Sequence, residues 1–231
     1  MDSPARAVAY KPDGTEICVG LGAGTGKANN RDGAFVIFQP SKDPTKDLAV
    51  VHEDRESQEW VRTICYSPDG RRMAIGCEDN QIYVYDTKEN WSRTCVLNYH
   101  SAPITALDFT EDSLYMQSTD SAGALHFGDV LAGVQIPTGA ALRDVKWANQ
   151  TCPLGWAVKG MQKPESTKVE VTAAARSSSK KLVVGADNFG RVSMYHHPAP
   201  DTEAGCVVYR GHGGVTNDAS TNPFKGTGVT R

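Results

Sequence analysis

The chain lacks a Cys-x-x-Cys pair, any clustered His/Cys spacing for zinc, any stretch of transmembrane length and any heptad segment for oligomerisation. Its 6 cysteines, Cys18, Cys65, Cys77, Cys95, Cys152 and Cys206, stand singly on or beside expected strands. That excludes a thiolate zinc knot and predicts reduced, small core residues. The opening residues MDSPARAVAYKPDG carry no apolar run behind a basic start, so no secretory signal is expected and the expected location is cytoplasmic. A formal net charge of -3 supplies no general attraction to nucleic acid or to an anionic membrane, and neither is expected as a partner. Hydrophobic residues make up 39% and charged residues 22% of the 231 residues, enough to bury a real core.

Catalytic patterns are missing as well. No Ser/His/Asp or Cys/His arrangement follows a nucleophile motif, and the paired acids Glu53-Asp54 and Glu111-Asp112 fall in expected turns, where solvated charge accounts for them. The glycine-rich run Gly20 to Ala28 fails both phosphate-binding templates. A Walker loop needs glycine where Leu21 stands and Ser or Thr where Ala28 stands, and the G-x-G-x-x-G register meets Thr25 from Gly20 and Lys27 from Gly22. A flexible hairpin insertion is the better reading. His196 and His197 are consecutive strand residues that point to opposite faces, with no carboxylate or cysteine partner nearby in sequence. No enzyme, cofactor or metal is expected.

What is present is a repeated pattern of short apolar strands. Thr63 to Asp86 reads as strand, Pro68-Asp69-Gly70 turn, strand, Asp79-Asn80 turn, strand. Tyr10-Lys11-Pro12-Asp13-Gly14 repeats the first half of this unit, and Gly33 to Pro40 supplies its third strand. A third copy begins at Ile104, with Glu111-Asp112 in the first turn. A fourth runs from Val169 to Pro198, with Ser177 to Ser179 and then Asp187 to Gly190 as its turns. The first two copies lie farther apart than a period of about 40 to 45; the Gly22 to Gly33 loop and the Ser41 to Asp47 connection account for the excess. Outer strands are expected at Leu48 to Val51, Thr94 to Asn98, Gly133 to Ile136 and Val207 to Tyr209.

This pattern resembles the blade of a WD-repeat β-propeller, with Tyr85-Asp86 where the WD dipeptide would stand. The expected fold is all-β: about four blades, near 1–59, 60–103, 104–167 and 168–210, with 211–231 as the truncated start of a further blade, so that the propeller is partial or incomplete. In such repeats a histidine at the blade start bridges a strand hydroxyl and a turn aspartate. His52, His100 and His212, with Asp79, Asp86, Asp120 and Asp187, are therefore the expected structural residues. The segment Leu142 to Thr167 departs from the template and is expected to add two short strands packed on the propeller.

That departure narrows the family. Leu142-Arg143-Asp144-Val145-Lys146-Trp147 and Thr151-Cys152-Pro153-Leu154-Gly155-Trp156, together with Gln81 to Trp91, His100 to Asp108 and Val208-Tyr209-Arg210-Gly211-His212, resemble the second propeller of the echinoderm microtubule-associated protein-like family. The resemblance implies a non-catalytic cytoskeletal module that associates with microtubules or tubulin, in the cytoplasm and in cilia or axonemes. Arg71, Arg72, Lys88, Arg93, Lys180 and Lys181 are the candidate contacts to an acidic tubulin surface. The competing expectation is a general WD scaffold in a signalling or ciliary complex without microtubule contact. An open arc of blades would leave its end sheets uncovered, so another propeller segment or chain is expected to complete the ring.

Overall fold

Each repeat builds its first hairpin with the same turn. A computed structural model describes residues 4–22, 31–41, 48–162 and 169–210. In it the N–H of the fourth turn residue donates to the carbonyl of the first: Gly14 to Lys11, Gly70 to Ser67, Ser113 to Thr110 and Lys180 to Ser177, all at 2.8–2.9 Å. That fourth residue adopts a left-handed backbone every time, with φ of 72°, 66°, 63° and 58°. Glycine holds the position without strain in the first two copies, whereas Ser113 and Lys180 hold it against the Cβ penalty.

The described residues form sixteen strands, four to each sheet: β1 (Ala5–Tyr10) to β4 (Ala49–Arg55), β5 (Val61–Tyr66) to β8 (Ser92–Leu97), β9 (Ile104–Phe109) to β12 (Val134–Ile136), and β13 (Val171–Arg176) to β16 (Cys206–Arg210). Within each sheet the strands pair antiparallel in chain order, as in the blades of a propeller. A bulge recurs near the start of each first strand and leaves Arg6, Arg62, Thr105 and Thr172 outside the register. The repeats are thus equivalent to the level of single residues, and the register assigns matching positions. Cys77 pairs with Val61, Asp120 with Ile104 and Asp187 with Val171.

The chain divides into two compact units, Met1–Ala148 and Asn149–Arg231. In the first, blade faces pack on one another. Cys18, Phe35 and Ile37 of the first sheet meet Met73, Ile75 and Tyr85 of the second, and the opposite face of the second sheet, Ala74, Ile82, Val84 and Leu97, meets Ile104, Leu107 and Met116 of the third. Glycines permit the close approach: a Cβ on Gly76 would lie 2.5 Å from Ile104 Cγ2.

Among the described residues of the insert, 142–162, the expected pair of strands is not there. Residues 142–162 instead contribute to two 3-10 helices, Gly139–Leu142 and Trp156–Met161, and to a single bridge between Thr110 and Trp147. The composition explains the difference, since Pro153 removes a ladder donor and Gly155 takes φ 136°, which breaks any extended run. Trp147 and Leu142 pack against Phe127 in the first unit, the two rings 6.1 Å apart. In the second unit Val158 and Met161 cover Ala174, Val183 and Tyr195 of the fourth sheet.

Candidate functional site

The turns between second and third strands gather the polar residues. In the third blade His100 Nδ1 lies 2.9 Å from Asp120 Oδ2 and its Nε2 lies 2.7 Å from Ser118 Oγ, with both side chains of the His100–Asp120 pair fully buried. An ionised carboxylate only accepts, so Nδ1 carries the proton and Nε2 accepts from the Ser118 hydroxyl. Asp120 Oδ1 meanwhile takes the backbone N–H groups of Ala122 and Ala124, at 3.1 and 2.9 Å. Burial pushes the His100 imidazole below its usual pKa, against the opposing pull of Asp120. Burial would raise the Asp120 carboxyl, but the hydrogen bonds from His100, Ala124 and Ala122 leave it below the usual range. His126 packs edge-on against His100, centroids 4.7 Å apart, and its Nδ1 accepts from Gln135 Nε2 at 3.1 Å.

The second blade has a different network. Asp79 Oδ2 accepts from Ser57 Oγ at 2.7 Å and from Tyr83 OH at 2.8 Å, while Oδ1 accepts the Gln81 N–H. His52 is not part of it: its ring stacks on Trp91 at 4.9 Å, and its buried Nε2 has no hydrogen-bond partner. The reason is register. His100 stands four residues before Ile104, and the residue four before Val61 is Ser57; His52 lies within β4, paired with Ile37. Asp79 in turn sits two residues beyond the position that Asp120 and Asp187 share, Cys77. In the fourth blade Asp187 is held by Arg191, Nε to Oδ2 at 2.7 Å, and by the N–H groups of Phe189 and Arg191. His212 falls outside the described residues, as do Ala23 to Asn30 of the glycine-rich loop. Ser57, Tyr83, Ser118 and His126 carry no sequence label of their own; only the four-residue offset and the strand pairing mark them.

The candidate contact residues fall on the opposite blade ends. Arg71 and Lys88 share one end of the second blade, where Thr87 N–H donates to the Arg71 carbonyl. Arg71 Nε also binds Asp86 Oδ2 at 3.1 Å, so Asp86 accepts from a side chain there and from Lys88 N–H as well. Arg93 lies in β8 and pairs with Glu56 at 2.6 Å. Arg72 is half-buried. Lys180 and Lys181 are exposed at the first turn of the fourth blade. Lys88 and Lys181 form no ion pair among the described residues.

The second unit also contains a cleft of about 450 Å³ lined by Met161, Val171, Tyr195 and Val208, with Asp187 and Arg191 at its polar side. Ser193, Thr202, Glu203 and Cys206 add to its polar lining.

Known proteins with the same pattern supply the family. A family model described as the echinoderm microtubule-associated protein second beta-propeller matches residues 1–219. Echinoderm microtubule-associated protein-like 1 of Rattus norvegicus is 31% identical over 221 residues, which is 94% of this chain and 25% of the relative. The 77 kDa echinoderm microtubule-associated protein of Strongylocentrotus purpuratus is 28% identical over 96% of this chain and 31% of its own length. The chain therefore spans about a quarter to a third of these relatives. Among solved structures, the C-terminal WD40 domain of Sif2 superimposes with a TM-score of 0.63 at 15% identity, covering 94% of this chain and 63% of that one, a likeness of fold alone. Four equivalent four-stranded blades and a family match across nearly the whole sequence lead to one conclusion: the chain belongs to the echinoderm microtubule-associated protein family and corresponds to sequence of its second β-propeller.

Proposed function

We propose that this chain is a non-catalytic protein-binding module of the cytoskeleton whose partner is the microtubule, through tubulin or a microtubule-associated assembly. The observation that carries the reading is the family match over residues 1–219, to proteins named as microtubule-associated. The exposed cations support it. Lys88 and Lys181 have no internal counter-ion among the described residues, so they are available to an acidic surface, where complementary charge mainly speeds and orients association. Co-sedimentation with microtubules at increasing ionic strength tests it: binding at low salt that weakens as salt rises is the expected result, and no binding at low salt refutes a direct contact by this chain.

The mixed charge of the surface favours the second reading in part. Arg71 and Arg93 are already paired with Asp86 and Glu56, so two of the six expected contacts are tied up in internal ion pairs. A WD scaffold held in a signalling or ciliary complex would use the blade rims instead, and capture from extract depleted of tubulin separates the two. Cytoplasmic cytoskeleton is the location that follows from the first reading, with cilia or axonemes as its narrower form.

A further partner is another propeller segment. Tyr209 occupies the register position of Leu97, through the Ala186–Val192–Tyr209 and Gly76–Ile82–Leu97 rows. Leu97 is 1% exposed beneath the third blade, whereas Tyr209 is 43% exposed. A blade from elsewhere in the same protein or from a second chain would cover it. Light scattering on the purified chain gives the test: a folded monomer with this face still open to solvent speaks against a requirement for completion.

A further inference from the structure

We propose that the network at the top of the third blade is a binding site for one divalent transition-metal ion of the zinc class, ligated by His100, Asp120 and His126. One ring nitrogen from each histidine and a carboxylate oxygen of Asp120 lie within 4.8 Å of one another. The three side chains come from different elements, the connection before β9, the end of β10 and the middle of β11, so the strand pairing Ser118–His126 and Ile104–Asp120 fixes their relative positions.

The donor set suits the ion. Two imidazoles and one carboxylate leave a fourth position for water, the composition of an open tetrahedral zinc site. Bonds of about 2.0–2.1 Å place ligand atoms about 3.4 Å apart, so the His100–Asp120 pair, now 2.9 Å apart, opens slightly while His126, the half-buried member, rotates inward. The ion replaces the proton between His100 Nδ1 and Asp120 Oδ2. That proton moves to Nε2, which then donates to Ser118 Oγ, so the ring stays neutral and no net proton is lost. Ser118 becomes the outer partner of His100. His126 binds through Nε2 after its ring proton moves to Nδ1, and the Gln135 amide, which now donates to Nδ1, turns so that its oxygen accepts that N–H, the outer contact a ligand histidine requires. Among the described residues no other blade has this set. The second blade offers Ser57 and Tyr83 to its aspartate, and in the fourth the partner of Asp187 is Arg191, a cation.

The test is a titration of the purified chain with Zn2+ by calorimetry and with Co2+ by visible absorption. The expected result is one ion per chain, a tetrahedral cobalt spectrum without thiolate charge-transfer bands, and a rise in melting temperature. The missing thiolate bands separate the site from half-buried Cys95 and Cys206. His126→Gln abolishes the binding, its fold checked by circular dichroism, and Ser118→Ala weakens it by about tenfold or more. Absence of saturable Zn2+ binding by the unmodified chain overturns the proposal whatever the variants do. So does binding that survives His126→Gln unchanged, or a cobalt spectrum carrying thiolate bands.

Discussion

Replacing His100 with alanine and Ser57 with alanine perturbs the same repeat position in two blades, and the structure assigns the two changes different costs. Removing the His100 ring takes the donor from Asp120 Oδ2, takes the acceptor from Ser118 Oγ and empties a space with no solvent access. A hydrogen bond to a charged group contributes about 1.5–3 kcal/mol, and a buried hydroxyl left without a partner costs about 1 kcal/mol or more. Two backbone N–H groups remain on Oδ1, which keeps the loss well below that of an isolated buried charge. The expected destabilisation is about 3–4 kcal/mol. Ser57→Ala leaves Asp79 with the Tyr83 hydroxyl on the same oxygen and costs about 1 kcal/mol. At about 2–4 °C per kcal/mol for a chain of this size, the melting temperatures fall by about 6–16 °C and about 2–4 °C. Urea unfolding followed by circular dichroism gives the free energies, with the slope of each curve checked for two-state behaviour. Equal losses in the two variants, or a loss below about 1 kcal/mol for His100→Ala, would refute the claim that the third-blade network is a buried, cooperative support.

Three further outcomes follow from the same geometry. Gly76→Ala drives a Cβ into Ile104, a rigid and fully buried side chain, and destabilises by about 1–3 kcal/mol. Gly185→Ala, whose nearest atom is the terminal methyl of Met161 at 2.6 Å, costs less in the same denaturation assay because that methyl can rotate away. Lys180→Gly relieves a left-handed backbone and raises stability by up to about 1 kcal/mol, whereas Lys181→Gly, in the adjacent position, does not. Acidification destabilises both units. Burial holds the His100 imidazole low in the folded chain, and burial with nearby Arg176 does the same for His197. The unfolded chain therefore takes up protons first, and stability present above about pH 6.5 is lost as the pH falls below that value. Melts between pH 8 and pH 5 show this as a falling midpoint, with a shallower fall in His197→Gln; a midpoint that stays constant over that range contradicts it.

The sequence pattern was enough to locate the blades because turns and strands are local. Pro68-Asp69-Gly70 specifies a left-handed fourth residue by composition, and the alternation after it places Met73 and Ile75 on one face. The outer strands came within a few residues for the same reason. The polar network was less legible, because it depends on register across strands. His52 has the residue type expected at a blade start but lies in β4, while Ser57, at the true position, is an unremarkable residue beside an acidic run. The insert failed differently. Trp147 is buried as its size suggests, whereas Trp156 is 48% exposed, and burial alone does not choose between a strand and a 3-10 turn. Pro153 and Gly155 tipped that choice toward turns.

The variation among blades carries its own argument about function. A repeat held only by fold requirements could use one network throughout, yet the three described turns anchor their aspartates differently: Ser57 with Tyr83 in the second blade, His100 in the third, Arg191 in the fourth. Each solution satisfies a turn carboxylate, buried for Asp120 and Asp187 and half-buried for Asp79, so turn stability does not select among them. What differs is the group presented at the blade end. The third places half-buried His126 edge-on against buried His100, and the fourth presents exposed Phe189 with Arg191 beside its ring at 5.7 Å. The equivalent turns thus share one scaffold and display different chemistry, which is the property a multi-blade binding surface requires.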